Sequence, residues 1–327
     1  METTITAKKQ LKISLPMAFE NLVTTLMSLI DTIIIANLGT TYLTAVGAMS
    51  VVINILQLTP QAINVSNIAL ITKNKDNQQD YLSQALSLSV LLAILSIIIG
   101  FAISPVVPLI FNISSIGNIY LYIRLAGFIQ SSLLTIIYGY MRVNGKQNLV
   151  FILQIISVVL NLVFDILAVS LGGGIIGVAL VTICIDTLVM LSCFLITKFK
   201  FNFKIIKQKM KELLNLFKWN FLERIISKVD FFVFNILVAR IGQVEFAVHT
   251  LLVQISDTAQ SFIQGYSDGF TITISKFSEL DEMASIAKLF KKIFIYSTGI
   301  FTVLILGISL GIIYLSFNSY SISYNNC

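Results

Sequence analysis

Two polar residues interrupt an otherwise apolar stretch at residues 157–171, which reads SVVLNLVFDILAVSL. Asn161 and Asp165 lie four positions apart, so in a helix both side chains lie on the same face. A carboxylate at the centre of a membrane-spanning helix costs about 2.5–3.5 kcal/mol on insertion scales. Such a residue usually faces a cavity or a partner instead of lipid, and the pair therefore predicts a polar site.

Depth in the membrane adds two more residues to this site. At about 1.5 Å per residue, Asp31 and Asp165 lie roughly 9–12 Å below the outer ends of their helices. Asn161 and Thr182 lie roughly 12–15 Å down on the same scale. Two carboxylates, an amide and a hydroxyl offer oxygen ligands, which suit a proton or Na⁺. The cation-binding residues predicted are Asp31, Asn161, Asp165 and Thr182. The alternative is that each carboxylate braces its own helix by bonding nearby backbone or hydroxyl groups.

Other polar residues in apolar segments are assigned less specific roles. Four are expected to line a cavity: Asp257, Asp268, Gln57 and Gln260. Glu20 and Glu223 are expected to form a structural pair, because they lie at matching positions of an internal repeat. A single histidine and no paired acidic motif argue against an intramembrane enzyme. We therefore expect no catalytic residue, no cofactor and no metal ion beyond Na⁺.

The elements that must position these residues are membrane helices. The chain has 327 residues, of which 56% are hydrophobic and only 12% charged, and its mean hydropathy is +0.89. Soluble domains carry about 25% charged residues, so the composition predicts an all-α polytopic membrane protein. The nine apolar stretches expected to span the bilayer are 13–37, 43–72, 82–111, 118–141, 148–171, 174–197, 213–239, 245–275 and 287–317.

Lysine and arginine cluster in alternate loops, which predicts the orientation of the chain. Three lysines precede the first span, and six lie between residues 198 and 211. Positive loops usually face the cytoplasm, so the N-terminus is predicted to be cytoplasmic and the C-terminus external. The expected location is the plasma (inner) membrane, in multiple passes.

The chain also repeats itself at a constant offset of 203 residues. Residues 11–73 match 214–276, and the matches include Glu20 with Glu223 and Gln57 with Gln260. Because six spans separate the copies, both run the same way through the bilayer, as parallel repeats. The expected organisation is a six-helix bundle at 1–200, a basic linker at 201–212 and a partial bundle of three helices at 213–327.

Three longer stretches resemble the multidrug and toxic compound extrusion (MATE) transporters. They are LPMAFENLVTTLMSLIDTIIIANLGTTYLTAVG near the start, YMRVNGKQN followed by LNLVFDILAVSLGGGIIGVALVT, and FNILVARIGQVEFAVHTLLVQI in the second repeat. The resemblance implies two six-helix bundles around a central cavity, alternating between inward-open and outward-open states. The family's cation ligands in the first bundle match Asp31, Asn161, Asp165 and Thr182. Other branches carry an acidic residue in the seventh helix, where this chain has Trp219 and Ser227.

The expected function is secondary active efflux of amphipathic, often cationic compounds in exchange for H⁺ or Na⁺. Compared with the family plan the chain is expected to be truncated after the ninth helix, with self-association as one way to complete the cavity. The alternatives are a lipid-linked oligosaccharide flippase of related architecture and an inactive truncated remnant. The expected partners are small molecules and the lipid bilayer, with no nucleic acid.

Overall fold

The computed structural model describes residues 7–197 and 205–276, together with single positions at 295, 299 and 302. Side chains are described chiefly over 14–197 and 205–270. This part of the chain is helical and contains no strand, so the predicted all-α membrane fold is confirmed. The helices are α1 (Ala7–Ala36), α2 (Thr40–Leu56), α3 (Leu58–Lys73), α4 (Gln78–Ile103), α5 (Val107–Phe111), α6 (Gly117–Ala126), α7 (Phe128–Val143), α8 (Gln147–Ser170), α9 (Gly174–Thr197), α10 (Lys207–Ile241) and α11 (Gln243–Lys276).

Three predicted spans are interrupted in the structure. The stretch 43–72 is divided into α2 and α3 at Gln57, because Pro60 has no N–H for the Leu56 carbonyl and its ring crowds that turn. The stretch 82–111 ends as α4 before Pro105 and resumes briefly as α5. The stretch 118–141 is divided at Gly127, where α6 and α7 meet at 51°. Sequence periodicity predicted these spans correctly but gave no sign of the break at Gly127.

Several helices are long and apolar enough to cross a membrane. Within the described residues these are Ser14–Ala36, Thr40–Lys73, Lys75–Ile103, Gln147–Ser170 and Gly174–Thr197, and the bent pair α6–α7 adds a sixth. The predicted seventh and eighth spans, α10 and α11, are helical but less apolar on this measure. The predicted ninth span, 287–317, lies outside the described residues apart from single positions.

The helix bounds agree with the internal repeat. Thr40 and Lys73 bound the α2–α3 pair, and the offset of 203 places their equivalents at Gln243 and Lys276, which bound α11. The two copies differ at one point, because α11 continues without a break at Gln260 whereas its counterpart breaks at Gln57. The repeat is therefore preserved in the lengths of the elements but not in their local geometry.

The chain divides by packing into two compact units. One unit is formed by residues 1–22 with 256–327, and the other by Val23–Ile255. All four predicted cation ligands belong to the larger unit. The predicted division at 201–212 stays a prediction.

The larger unit is held together by two apolar clusters. One joins α3, α4, α7 and α9 through side chains such as Ile63, Leu86 and Ile136. The other joins α2, α5 and α6 to α10 and α11 through aromatic contacts, with Phe111 packed against Phe232 on α10 and Phe246 on α11. Since lipid is as apolar as these side chains, their association depends on close packing more than on removal from water.

Polar contacts add to this packing on the α10 side. Asn220 donates to the Ser66 hydroxyl at 2.8 Å, and Arg224 donates to the Gln61 side-chain oxygen at 3.0 Å. These bonds join α10 to α3. At the predicted cytoplasmic end, Lys209 pairs with Asp80 on α4. The first helix of the second repeat is therefore bonded to the first repeat by hydrogen bonds as well as by packing.

Gly117 generates a prediction about stability, because its α-carbon lies directly against α2. A β-carbon added there would lie 2.9 Å from the backbone oxygen of Ala45. Backbone atoms cannot move aside as a side-chain tip can, so Gly117→Ala forces α6 away from α2. We expect a loss of about 1–3 kcal/mol, seen as a lower thermal unfolding midpoint in detergent.

The matched control is Gly299→Ala, at a helical glycine with no atom of the described chain within 4 Å of the added carbon. This control should leave the unfolding midpoint unchanged or raise it, by at most about 1 kcal/mol, because alanine is favoured over glycine in a helix. Equal effects of the two substitutions would show that the α2–α6 contact is looser than the structure shows.

Candidate cation-binding site

The buried face of α8 is polar. The four buried residues of this 24-residue helix are Val150, Ser157, Asn161 and Asp165, and the last three recur at intervals of four. Large apolar side chains on the other faces are exposed, for example Val159 at 54% and Ile166 at 54%. An exposed apolar surface on a membrane helix faces lipid. The helix therefore directs its polar stripe into the protein and its apolar side chains into the bilayer.

Asp31 and Asp165 meet inside this bundle. Asp165 is fully buried, Asp31 is half-buried with its Oδ1 fully covered, and the two carboxyl groups interact with each other. Ionised carboxylates only accept hydrogen bonds. A hydrogen bond between these two groups therefore requires a proton on one of them, and two ionised groups require a cation between them.

Asn161 lies one turn from Asp165 and is fully buried. Neither its Nδ2 nor its Oδ1 has a hydrogen-bond partner within the described chain. Apart from the contact with Asp31, the same is true of both Asp165 oxygens. An unsatisfied buried polar group costs about 1–3 kcal/mol, so these atoms together are expensive unless something binds to them. Their oxygens fit the ligand set of a small cation.

Thr182 is 8% exposed on α9. Its hydroxyl donates to the Val178 carbonyl at 3.0 Å, as threonine commonly does in membrane helices. The donor is thus occupied, and the oxygen keeps lone pairs that can accept or ligate. The Thr182 hydroxyl is therefore suited to a ligand role and not to a donor role.

An apolar cluster covers the site on the predicted outer side. Its buried members are Ile35, Val46, Ile175 and Val178. Ile35 follows Asp31 by four residues, and Val178 precedes Thr182 by four. Because α1 runs towards the predicted outer surface and α9 runs away from it, both apolar residues lie one turn outside the polar ones. A cation entering from that side must pass this cluster.

Arg124 is a neighbour of the site that the sequence analysis did not include in it. Its guanidinium interacts electrostatically with Asp31, with Asp165 and with Asp186 on α9. A sequence signal was available, since Arg124 is the one charged residue of the predicted span 118–141. A lone arginine in an apolar span is as costly as a lone aspartate, and that cost points to acidic neighbours.

A small cavity lies beside Arg124. It has a volume of about 10 Å³, which is room for about one water molecule. Its polar lining is Gln57, Arg124, Ser131 and Asp186. Gln57 was predicted to line a cavity, and the structure places it here, at the break between α2 and α3.

Asp257, Gln260 and Asp268, which were also predicted to line a cavity, belong to the smaller unit. Asp257 and Asp268 are half-buried and Gln260 is exposed. Gln264 donates to Asp268 at 3.1 Å, and Gln260 donates to the Ser256 hydroxyl at 3.1 Å, so these contacts stay within one helix. Their predicted role in lining a cavity stays a prediction.

Glu20 and Glu223 do not share an environment, although they are equivalent in the repeat. Glu20 is 1% exposed, whereas Glu223 is an exposed residue of α10. The predicted structural pair therefore has one buried member and one surface member.

Comparison with known proteins agrees with this fold. Residues 16–167 match the family model MatE, and this part of the chain contains Asp31, Asn161 and Asp165. The predicted resemblance to the MATE transporters is confirmed. Comparison with curated proteins gave no match.

Solved structures of transporters share the architecture. The chain is 21% identical to a MOP superfamily transporter from Pyrococcus furiosus Vc1, with a TM-score of 0.67, over 92% of this chain and 71% of that one. A MATE protein solved in complex with MaD5 gives 20% identity and a TM-score of 0.71, over 86% and 70% of the two chains. A multidrug resistance MATE family transporter in its outward-facing conformation is 21% identical to the chain, with a TM-score of 0.68, over 92% of this chain and 71% of that one. These likenesses establish the fold.

The paired carboxylates generate a prediction about stability and cation binding. Asp165→Asn keeps the size of the side chain and removes one of the two like charges. We expect the variant to be more stable than the unaltered protein by about 1–2 kcal/mol in alkaline, Na⁺-free solution, where repulsion between the carboxylates is greatest. The difference should shrink when acid or Na⁺ is added, because a bound cation stabilises only the protein that binds it. Thermal unfolding in detergent under both conditions measures this.

Asp76→Asn is the control, since Asp76 is an exposed acid on the turn before α4. It removes the same charge without touching the bundle, and it should show neither the gain nor the dependence on cations. A less stable Asp165→Asn protein in alkaline solution would mean that Asp165 holds the bundle together.

Proposed function

We propose that the protein is an efflux transporter that exchanges H⁺ or Na⁺ for small amphipathic, often cationic compounds. The observation that carries the proposal is the Asp31–Asp165 pair, with Asp165 fully buried and flanked by the unsatisfied amide of Asn161, in the segment that matches the MatE family model. A purely structural role for these residues would leave their polar atoms bonded to nearby groups. Both atoms of the Asn161 amide instead lack a partner in the described chain.

In this proposal a cation entering from outside neutralises the acid pair. The repulsion between Asp31 on α1 and Asp165 on α8 then becomes attraction through the shared cation. Since the two carboxylates lie on different helices, this change alters how tightly α1 packs against α8. A ligand can shift a conformational equilibrium only by its difference in affinity for the two states, and a pair that closes around the cation supplies such a difference.

The driving force is large enough. One cation moving down a membrane potential of about 150 mV releases about 3.5 kcal/mol. That energy holds a neutral compound at a gradient of several hundred-fold, since each 1.4 kcal/mol is about a factor of ten. We propose that the membrane is the plasma (inner) membrane, with the N-terminus in the cytoplasm, so that inward cation flow drives outward export.

The acidic interior also bears on the substrate. Around Arg124 the described chain places three acids, Asp31, Asp165 and Asp186. A flippase for a pyrophosphate-linked lipid is expected to present a basic cavity. An excess of acids favours cationic compounds instead, which agrees with the proposed substrate class.

The proposal predicts that Asp31→Asn and Asp165→Asn each abolish coupled export. The assay is efflux of ethidium from proteoliposomes under an imposed proton or Na⁺ gradient. Each variant should fall to the rate of empty vesicles while remaining folded, because neither can bind the driving cation. Comparing the two gradients in the unaltered protein assigns the coupling ion.

Asp76→Asn is again the control and should export at the normal rate. Gradient-driven export that persists in both Asp31→Asn and Asp165→Asn would refute a coupling role for this site. Export of the dye without any gradient would refute antiport as the mechanism.

A further inference from the structure

Arg124 lies between two sets of acidic groups. It is half-buried on α6, and it interacts with the Asp31–Asp165 pair and with Asp186, which itself also interacts with Asp31. Among the described side chains no ion pair of Arg124 is found, whereas Lys209, for example, pairs with Asp80. The guanidinium is therefore near three carboxylates without being committed to one.

The position of Arg124 is fixed by the break between α6 and α7. Gln130, just after the break, donates to the backbone oxygen of Ile183 on α9 at 2.8 Å. At the break itself, a β-carbon added to Gly127 would lie 2.7 Å from Ile183 Cγ1. The two contacts hold the break against α9 at one residue, and that residue lies between Thr182 and Asp186.

Thr182 and Asp186 are four residues apart and so lie on the same face of α9. Arg124 is held beside this face, with the predicted cation site at the Thr182 end and Asp186 one turn deeper. The cavity that Arg124 and Asp186 both line has room for about one water molecule. The guanidinium therefore has some free space beside Asp186.

The charges near Arg124 do not balance. Three carboxylates face it from other helices: Asp31 on α1, Asp165 on α8 and Asp186 on α9. The remaining titratable neighbour is Tyr120 on its own helix. One guanidinium cannot neutralise three acids, and an unpaired charge in the membrane is costly. Binding of a further cation therefore changes which of the three carboxylates the guanidinium neutralises.

We propose that Arg124 is a positioning residue shared by two acidic partners: it neutralises the Asp31–Asp165 pair until a proton or Na⁺ enters that pair, and it then moves to Asp186. The inference rests on the proposed function, since it needs a cation at Asp31 and Asp165. In this proposal the Arg124 guanidinium competes with that cation for the Asp31–Asp165 pair. Because Arg124 lies beside the break at Gly127, entry of the cation is connected to that break.

The experiment measures cation binding to the 327-residue protein in detergent, independently of transport. Infrared difference spectroscopy follows the carboxyl band as protons or Na⁺ are added and gives the half-saturating cation concentration. Arg124→Gln should lower that concentration by about three- to tenfold, because the competing charge is gone. Asp186→Asn should raise it by a similar factor, because the guanidinium then has only the pair to serve.

Opposite shifts alone could come from two charges acting independently, so the double variant is decisive. If Arg124 transmits the effect of Asp186, adding Asp186→Asn to the Arg124→Gln protein should change the half-saturating concentration less than twofold. Additive shifts in the double variant would overturn the proposal. Shifts of the same sign in both single variants would also overturn it.

Two controls separate charge from folding. Arg124→Lys keeps the positive charge and should stay within about threefold of the unaltered protein, even if Arg124→Gln is poorly folded. If Arg124→Gln is poorly folded, a tenfold lower half-saturating cation concentration in Arg124→Lys would overturn the proposal. Lys211→Gln removes an exposed positive charge at the start of α10 and should have no effect.

The same experiment distinguishes the two levels of the argument. The carboxyl signal should disappear in Asp31→Asn and Asp165→Asn proteins. A signal unchanged in both would overturn the cation site, and with it the role of Arg124. A signal that disappears in them but is not shifted by Arg124→Gln or Asp186→Asn would overturn the role of Arg124 alone.

Discussion

The constraint on which the larger unit depends is the cost of burying polar groups where no water can bond them. In a membrane bundle this cost acts on every acid, amide and guanidinium. The described chain meets it in two ways. Asn220 and Arg224 are bonded to α3 and so join two helices. Asp165 and Asn161 are buried without such bonds, apart from the contact with Asp31. Residues that are bonded to another helix, such as Asn220, stabilise the fold. Buried polar residues without such bonds destabilise it, and a bound cation can offset that unfavourable free energy.

The broken helices fit this division. Pro60 interrupts α2–α3 beside Gln57, and Gly127 separates α6 from α7 beside Arg124. Both breaks border the cavity that Arg124 and Asp186 share. Irregular backbone within a membrane is tolerated where it lines a cavity or is buried in protein. These two interruptions thus lie beside the polar residues of the cavity, whereas the break before Pro105 does not line it. The unbroken α8 carries the polar stripe itself.

Much of this could be predicted from the sequence, and the reasons for success and failure are physical. Asp31, Asn161 and Asp165 were found because polar residues in apolar helices stand out and because helix geometry converts spacing into depth. The predicted span 245–275 agrees with α11 to within two residues. The meeting of Arg124 with three acids could not be predicted, since it depends on how α6, α8 and α9 pack. The different burial of Glu20 and Glu223 was missed for the same reason: a repeat preserves sequence positions but not the neighbours that each copy acquires.

The central claim is that Asp31 and Asp165 together hold a cation that an ordinary pair of exposed acids would not. Proton uptake by the purified protein in weakly buffered solution tests it most directly, at about pH 6, where exposed carboxylates are ionised. The account predicts that an Asp31→Asn, Asp165→Asn double variant binds one cation fewer than the unaltered protein. Whether added Na⁺ then releases a proton from the unaltered protein, or leaves that proton bound, identifies the cation. Equal cation binding by the two proteins would contradict the account.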